Sequence, residues 1–288
     1  MSVPTASDAR WTAVRAGLSR GWIETRHNLT EVANLIGHVL PPVAYIGVLL
    51  FMRGKTVPGT EFALATMVLP GFVGMTIVYG GLSAPAPVLT ADREDGTLLR
   101  AKATPHGMLG YLVGKVVMFA LTTLIGVGAT LIPGLMIVDG VNLDARAWLL
   151  LAVIFVVGMV ATVPIGVALG SIMKSSLQAL LVPLGFTLIM IPSGIFFPIT
   201  KLPVWLQMAA QVFPFYWVGL GARSAMLPAE MVSIEVGQSW RTAEMFLVLG
   251  VWAVAGLALA PTLLRRMARR QSGSAMARVR ERIIAKGY

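Results

Sequence analysis

The residues able to do chemistry in this 288-residue sequence are few and gather in one internal stretch. From Thr90 to Gly107 it reads Thr-Ala-Asp-Arg-Glu-Asp-Gly-Thr-Leu-Leu-Arg-Ala-Lys-Ala-Thr-Pro-His-Gly, the only strongly charged segment between the two ends of the chain. Asp92, Arg93, Glu94 and Asp95 precede Gly96 and Thr97, and Arg100 and Lys102 follow. This order suits recognition better than catalysis. Thr90 is placed to cap a short helix, the three acids favour its positive N-terminal end, Gly96 breaks it, and Pro105 with Gly107 closes the segment. Such a helix would dock on a soluble partner; a solvated loop is the plain alternative.

Other chemistries find little support. Cysteine is absent, which excludes disulfides and thiolate metal sites, and His27, His38 and His106 are too dispersed for a metal cluster. The nearest approach to a nucleotide-binding G-x-x-x-x-G-K-[ST] loop is Gly110-Tyr-Leu-Val-Gly-Lys115, one residue short and running straight into an apolar stretch at Val116. The chain is therefore expected to hydrolyse no ATP and to hold no cofactor itself. Ser193, in Pro-Ser-Gly, has no histidine near it in sequence and reads as a helix-breaking turn rather than a nucleophile.

The elements that position these residues must be membrane spans. The chain is 56% hydrophobic and only 12% charged, against about 25% charged in ordinary soluble domains. That leaves too little polar surface for water. The net charge of +10 does not argue for nucleic acid, because eight of the 23 Lys and Arg residues lie from Arg265 onward, beside an apolar segment. The residues from Met1 to Arg10 are polar and lead into no short cleavable apolar run, so the first apolar stretch is expected to be a permanent span.

A span needs about 20 apolar residues. Seven charge-free gaps meet that length: Val32 to Met52, Phe62 to Thr90, Val116 to Val138, Ala147 to Met173, Ser175 to Thr200, Leu202 to Ala222, and Met245 to Leu264. Lys115 would snorkel from the third. The sixth gap holds Pro203, Gln207, Gln211 and Pro214 among bunched aromatics, and reads poorly as a lipid-facing span. Six crossings also place the two basic ends on one side, with 17 basic residues in the segments on that side and six (Arg53, Lys55, Arg146, Lys201, Arg223 and Arg241) opposite. The excess of Lys and Arg assigns both termini to the cytoplasm.

Trp11, Val14, Leu18 and Trp22 recur on one helical face before the first span, with Arg20, Glu24 and His27 opposite, as in a helix lying at the inner interface. It serves either as an anchor or as an elbow cradling a partner. Gly110 to Gly114 and Gly166 to Gly170 have the small-xxx-small spacing that permits close helix approach, within or between subunits. Pro41, Pro42, Pro70, Pro133, Pro164, Pro183 and Pro192 lie in or near spans, as kinks or tolerated distortions. No Asp or Glu falls inside a predicted span, and His38 is the one titratable group well within one. That disfavours the main alternative, a secondary transporter or channel, which places charges at membrane depth. The polybasic tail (Arg265-Arg-Met-Ala-Arg-Arg270, then Arg278, Arg280, Arg282 and Lys286) reads as a topology anchor beside anionic lipid.

Two segments carry a family resemblance. Arg93-Glu-Asp-Gly-Thr-Leu-Leu-Arg-Ala-Lys-Ala-Thr-Pro105 resembles the "ERE-x-GT-L-x-x-L-x-x-TP" segment of ABC-2-type permeases. Ser193-Gly-Ile-Phe-Phe-Pro-Ile-Thr-Lys-Leu-Pro-Val-Trp-Leu-Gln207, then Phe213-Pro-Phe and Arg223, is similar to that family's "SG-x-FFP-x-x-x-LP-x-WLQ…P…R" region before the last span. The resemblance implies a permease subunit of a multidrug or natural-product type exporter, paired with a second permease subunit as homo- or heterodimer. Each subunit would dock on an ATP-binding subunit that binds ATP and Mg. It assigns Arg93, Glu94, Asp95, Gly96 and Thr97 to ATPase coupling. It also makes Pro198, Pro203, Trp205, Pro214 and Arg223 part of an external re-entrant region. Asp95 and Lys102 depart from many relatives.

The expected architecture is an all-α polytopic membrane protein with six transmembrane helices, an N-terminal amphipathic interfacial helix and a re-entrant helical segment before the last span. Its single transmembrane domain divides into a cytoplasmic interfacial helix (1–31), a six-span bundle (32–264) with coupling segment 90–107 and external re-entrant region 202–222, and a basic cytoplasmic tail (265–288). The expected location is the bacterial cytoplasmic (inner) membrane, with both termini cytoplasmic. The partners are then lipid and an amphipathic small-molecule substrate (a drug, antibiotic or lipid-like molecule), with no nucleic acid.

Overall fold

The computed structural model describes residues 6–104 and 106–285, so Pro105 and Lys286 lie outside the described residues. Twelve α-helices follow one another among them: α1 (Ala6–Thr30), α2 (Val32–Met52), α3 (Leu64–Leu82), α4 (Pro85–Glu94), α5 (Thr97–Lys102), α6 (Gly107–Ile137), α7 (Ala145–Ile172), α8 (Ser176–Ala179), α9 (Leu181–Met190), α10 (Val204–Val212), α11 (Pro214–Met226) and α12 (Thr242–Ala285). Five stretches are long and apolar enough to cross a membrane: Asn34–Met52, Leu64–Glu94, Gly107–Ile137, Ala145–Ile172 and Thr242–Leu264. A shorter apolar stretch, Leu177–Ser193, takes the place of the fifth expected span. The chain is an all-α polytopic membrane protein.

Burial orders the bundle from inside out. Nearly all of α3 and α11 is buried, and the two helices cross where a Cβ on Gly74 would lie 2.6 Å from the Cα of Gly219. Around this pair, α7 packs on both of them and on α12, while α6 packs on α1, α2 and α3. The outer helices leave Val39, Leu40 and Val43 of α2, Leu184 and Leu188 of α9, and Val251 and Val254 of α12 exposed. Apolar surface on this scale is stable only against lipid.

Local chemistry explains where the helices end. The Asp144 carboxylate accepts the Ala147 amide at 2.7 Å and caps α7. Helix α9 ends at Met190 and passes into a 3-10 turn with Pro192 in it and left-handed Gly194 after it, where the Ser193 hydroxyl donates to the Met190 carbonyl at 2.5 Å. Helices α10 and α11 hold nine and 13 residues, about 14 and 20 Å at 1.5 Å per residue, so neither spans the ~30 Å hydrocarbon core. Phe213, in an extended backbone conformation, separates them. The basic C-terminal segment continues α12 as one helix through Ala285.

Two close approaches decide how the glycine motifs are used. Gly166 and Gly170 pack on the α3–α4 junction, where Cβ atoms would lie 2.4 Å from the Gly81 carbonyl oxygen and 2.9 Å from the Ala86 Cα. Gly110 and Gly114 face Gly17 and Gly21 of α1: a Cβ on Gly17 would come within 2.6 Å of the Gly110 oxygen, and one on Gly21 within 2.7 Å of the Gly114 oxygen. Both motifs are consumed within the chain. The partner motif, Gly17 to Gly21, was hidden by its surroundings of polar residues.

Candidate functional site: the charged segment and its buried anchor

The charged segment is two short helices around one hinge residue. Pro85 sits at the first position of α4, which starts the helix earlier than Thr90 suggested, since proline needs no amide donor there. Thr90 is therefore no cap. It lies inside α4, buried, with its hydroxyl donating to the Ala86 carbonyl at 2.8 Å. Asp92 and Glu94 consequently occupy the C-terminal end of α4, where the helix dipole disfavours them.

The second helix starts after Gly96, whose φ of +80° is a conformation that costs a Cβ-bearing residue about 1–2 kcal/mol. Asp95 then accepts the Thr97 amide at 2.8 Å. Its slight burial alone would raise the Asp95 pKa, but the Thr97 bonds and nearby Arg100 hold it below the ordinary value. Arg93, half-buried, reaches back to donate to the Met173 carbonyl at 2.5 Å, tying α4 to the end of α7. Glu94 is exposed.

What positions this segment is a buried ion cluster. Lys115 of α6 is only 5% exposed, and its Nζ lies 2.6 Å from Asp92 Oδ2 of α4 and 2.9 Å from Glu24 Oε2 of α1. It does not snorkel, because two carboxylates meet it inside. Arg20 donates to Glu24 at 2.6 Å, and the Tyr111 hydroxyl donates to Asp92 at 2.8 Å. The Tyr111 ring lies beneath the Arg20 guanidinium, 5.4 Å from its centroid. Burial alone would raise the Glu24 pKa; Lys115 and Arg20 outweigh it and hold the carboxyl below its ordinary value.

The cluster explains why α1 docks as it does. Its small residues Gly17, Gly21 and Thr25 are buried, while Trp11, Leu18 and Trp22 stay exposed. The aromatic stripe faces away from the protein, and the face carrying Glu24 enters it. Between α1, α5 and α6 runs an open groove of about 430 Å³, with Arg20 and Arg100 among its walls.

A second buried ion pair organises the segment before the last span. Arg223 of α11, which the charge count had put in an external loop, is 1% exposed. Its Nε donates to Glu235 Oε1 at 2.6 Å and its Nη1 to the Gly194 carbonyl at 3.1 Å. One side chain thus joins α11, the loop after it, and the turn that ends α9. Pro198 is buried before a 3-10 turn, Pro203 precedes α10, Pro214 opens α11 buried, and Trp205 stays exposed. The polar Gln207 and Gln211 are satisfied locally, by the Leu202 and Gln207 carbonyls. Glu235 was missed because a lone acid in a loop carries no pattern.

Taken together, these features define a helical membrane protein whose most strongly charged internal segment is fastened to the bundle by the Asp92–Lys115–Glu24 cluster. The sequence profile of the ABC-2 type transporter family matches residues 12–227, most of the chain and both motif segments, and the chain belongs to that family. It is thus a membrane permease component of ABC-type transport, a class that works with an ATP-binding partner. No curated protein matches the sequence.

Proposed function

We propose that the chain is the membrane-spanning permease subunit of an ATP-driven exporter, moving an amphipathic small molecule such as a drug, antibiotic or lipid-like compound out of the cytoplasm. ATP and Mg are bound and hydrolysed on a separate nucleotide-binding subunit. The observation that carries this reading is the Asp92–Lys115–Glu24 cluster, which makes the segment from Arg93 to Thr97 a firmly seated handle rather than a loose loop. A partner pressing on α4 or α5 displaces α6 and α1 with them, because separating ions in this largely shielded site is costly.

On this reading segment 90–107, both termini and α1 face the cytoplasm of a bacterial inner membrane, and the region 202–222 lies at the outer side. Two permease subunits, identical or different, face each other across a path bordered by α2 and α9, with the buried α3 packed behind them. An amphipathic cargo suits a bundle whose predicted spans hold no carboxylate.

The test is co-purification of the tagged chain in mild detergent, followed by ATPase assay of wild type and Glu94→Ala. The proposal expects a subunit with nucleotide-binding motifs to come down in stoichiometric amount, and Glu94→Ala to uncouple or release it. Purification alone in several detergents, with no such subunit, overturns it.

A further inference from the structure

Within a single subunit, α2, α3 and α6 border a half-open pocket of about 170 Å³. Gly37, His38 and Tyr45 line it from α2, Tyr79 from α3, and Thr122 from α6. Its volume is close to that of an engineered cavity of roughly 150 Å³ that accommodates a benzene ring, so it suits one ring or a short alkyl segment, with any larger remainder of the molecule leaving by the open side. No carboxylate and no permanent cation lines it, which excludes charged guests.

The backbone supplies the specificity. In a helix the carbonyls of Gly37 and His38 bond to the amides four residues on, and those positions are Pro41 and Pro42, which have no N–H. Both carbonyl-bearing residues line the cavity. The two carbonyls, released from their helical amides, are thereby offered as acceptors beside a pocket that also carries the Tyr45 and Tyr79 side chains. By contrast, the Thr122 hydroxyl is taken by the Met118 carbonyl at 2.8 Å, and His38 is bonded to Asn28 of α1.

We propose that this cavity is a subsite for a ring-sized apolar group bearing a hydrogen-bond donor, as in a phenol or an alcohol, with the hydroxyl held by the Gly37 and His38 carbonyls. It rests on the transport reading above only for its role as a cargo or modulator site. The binding itself does not.

The geometry also supplies a plug. A Cβ built on Gly37 meets nothing within 4 Å, so Gly37→Ala is accommodated, and Gly37→Phe adds a ring at the wall of the pocket that competes with a guest for its space. The full-length chain in lipid nanodiscs would be photolabelled with a trifluoromethyl-diazirinyl benzyl alcohol and its methyl ether, and adducts mapped by mass spectrometry. Adducts of the alcohol are expected at Tyr45 and Tyr79, falling about tenfold in Gly37→Phe and with the ether, but persisting in Gly37→Ala. Equal labelling by alcohol and ether, labelling unchanged in Gly37→Phe, or labelling at Tyr45 no stronger than at lipid-exposed Leu40, each overturns the proposal. Because no ATPase is present, a chain that fails to bind a nucleotide-binding subunit can still pass this test, and one that binds it can still fail.

Discussion

Arg223 and Glu235 are joined at 2.6 Å in a site where both are almost wholly shielded, and Arg223 simultaneously holds the Gly194 carbonyl. Removing one ion strands the other in a dry environment, which costs about 3–5 kcal/mol. Arg223→Met should therefore lower thermal stability in detergent severely, whereas Arg223→Met with Glu235→Leu should recover part of the loss. A double mutant no better than Arg223→Met would show that the Gly194 bond, rather than the ion pair, dominates. The comparison is read by a fluorescence or scattering melt of purified protein.

Lys115→Met leaves Glu24 and Asp92 facing each other without their shared cation. The two acids are partly accessible, so the loss is expected at about 2–3 kcal/mol, below that of a fully dry pair. The sharper effect should be functional: ATPase activity of the reconstituted complex loses its response to transported compound while the basal rate persists. Lys115→Arg, which keeps the charge, should retain more of that response than Lys115→Met.

Acid should weaken the α1 anchor in a defined direction. The Glu24 carboxyl is held below its ordinary value of 4.5, so its stabilising contribution is complete above that value and is lost as pH falls through the lower folded-state value. Wild type and Glu24→Gln should differ in melting temperature at neutral pH, and the difference should shrink as pH falls below 4.5 and through the lower folded-state value. A constant gap across that range would assign the Glu24 effect to packing instead.

Gly21→Leu should detach α1 from α6, because even its Cβ would meet the Gly114 oxygen at 2.7 Å and Val117 Cβ at 2.7 Å. Overpacking of this kind costs about 1–3 kcal/mol. Limited proteolysis after α1 is expected to accelerate, and an engineered disulfide between α1 and α6 to fail. Gly37→Ala, with open space around it, should be neutral or stabilising by up to about 1 kcal/mol through helix propensity.

The charged hinge gives a further pair. Asp95→Ala removes the carboxylate that accepts the Thr97 amide and should cost about 1 kcal/mol at α5. Gly96→Val should cost more, about 1–2 kcal/mol, since its backbone is left-handed. Both should reduce partner binding in a pull-down before they reduce the yield of folded membrane protein.

Much of the fold was legible because lipid imposes a simple rule: charge-free stretches such as Ala147 to Met173 had to become helices. The broken character of 202–222 was equally plain from Pro203 and Pro214, each of which now precedes or opens a helix. The site was less legible. Thr90, Asp92 and Glu94 suggested a helix start by local capping logic, but Pro85 had already begun the helix, and Asp92 serves a distant lysine instead of the dipole. Lys115 looked like a snorkelling residue because its partners, Glu24 and Asp92, are brought to it only by tertiary packing. Periodicity speaks for faces of single helices; it is silent about which two faces meet.

The seating of α1 on α6 also constrains the order in which the chain assembles. Synthesis delivers Glu24 with its small-residue face long before Gly110, Gly114 and Lys115 exist to receive them. Until then α1 still carries its exposed aromatic stripe, Trp11, Leu18 and Trp22, which suits a membrane surface. Helix α1 therefore leaves the ribosome before the helices that receive it, and its docking follows the synthesis of α4 and α6.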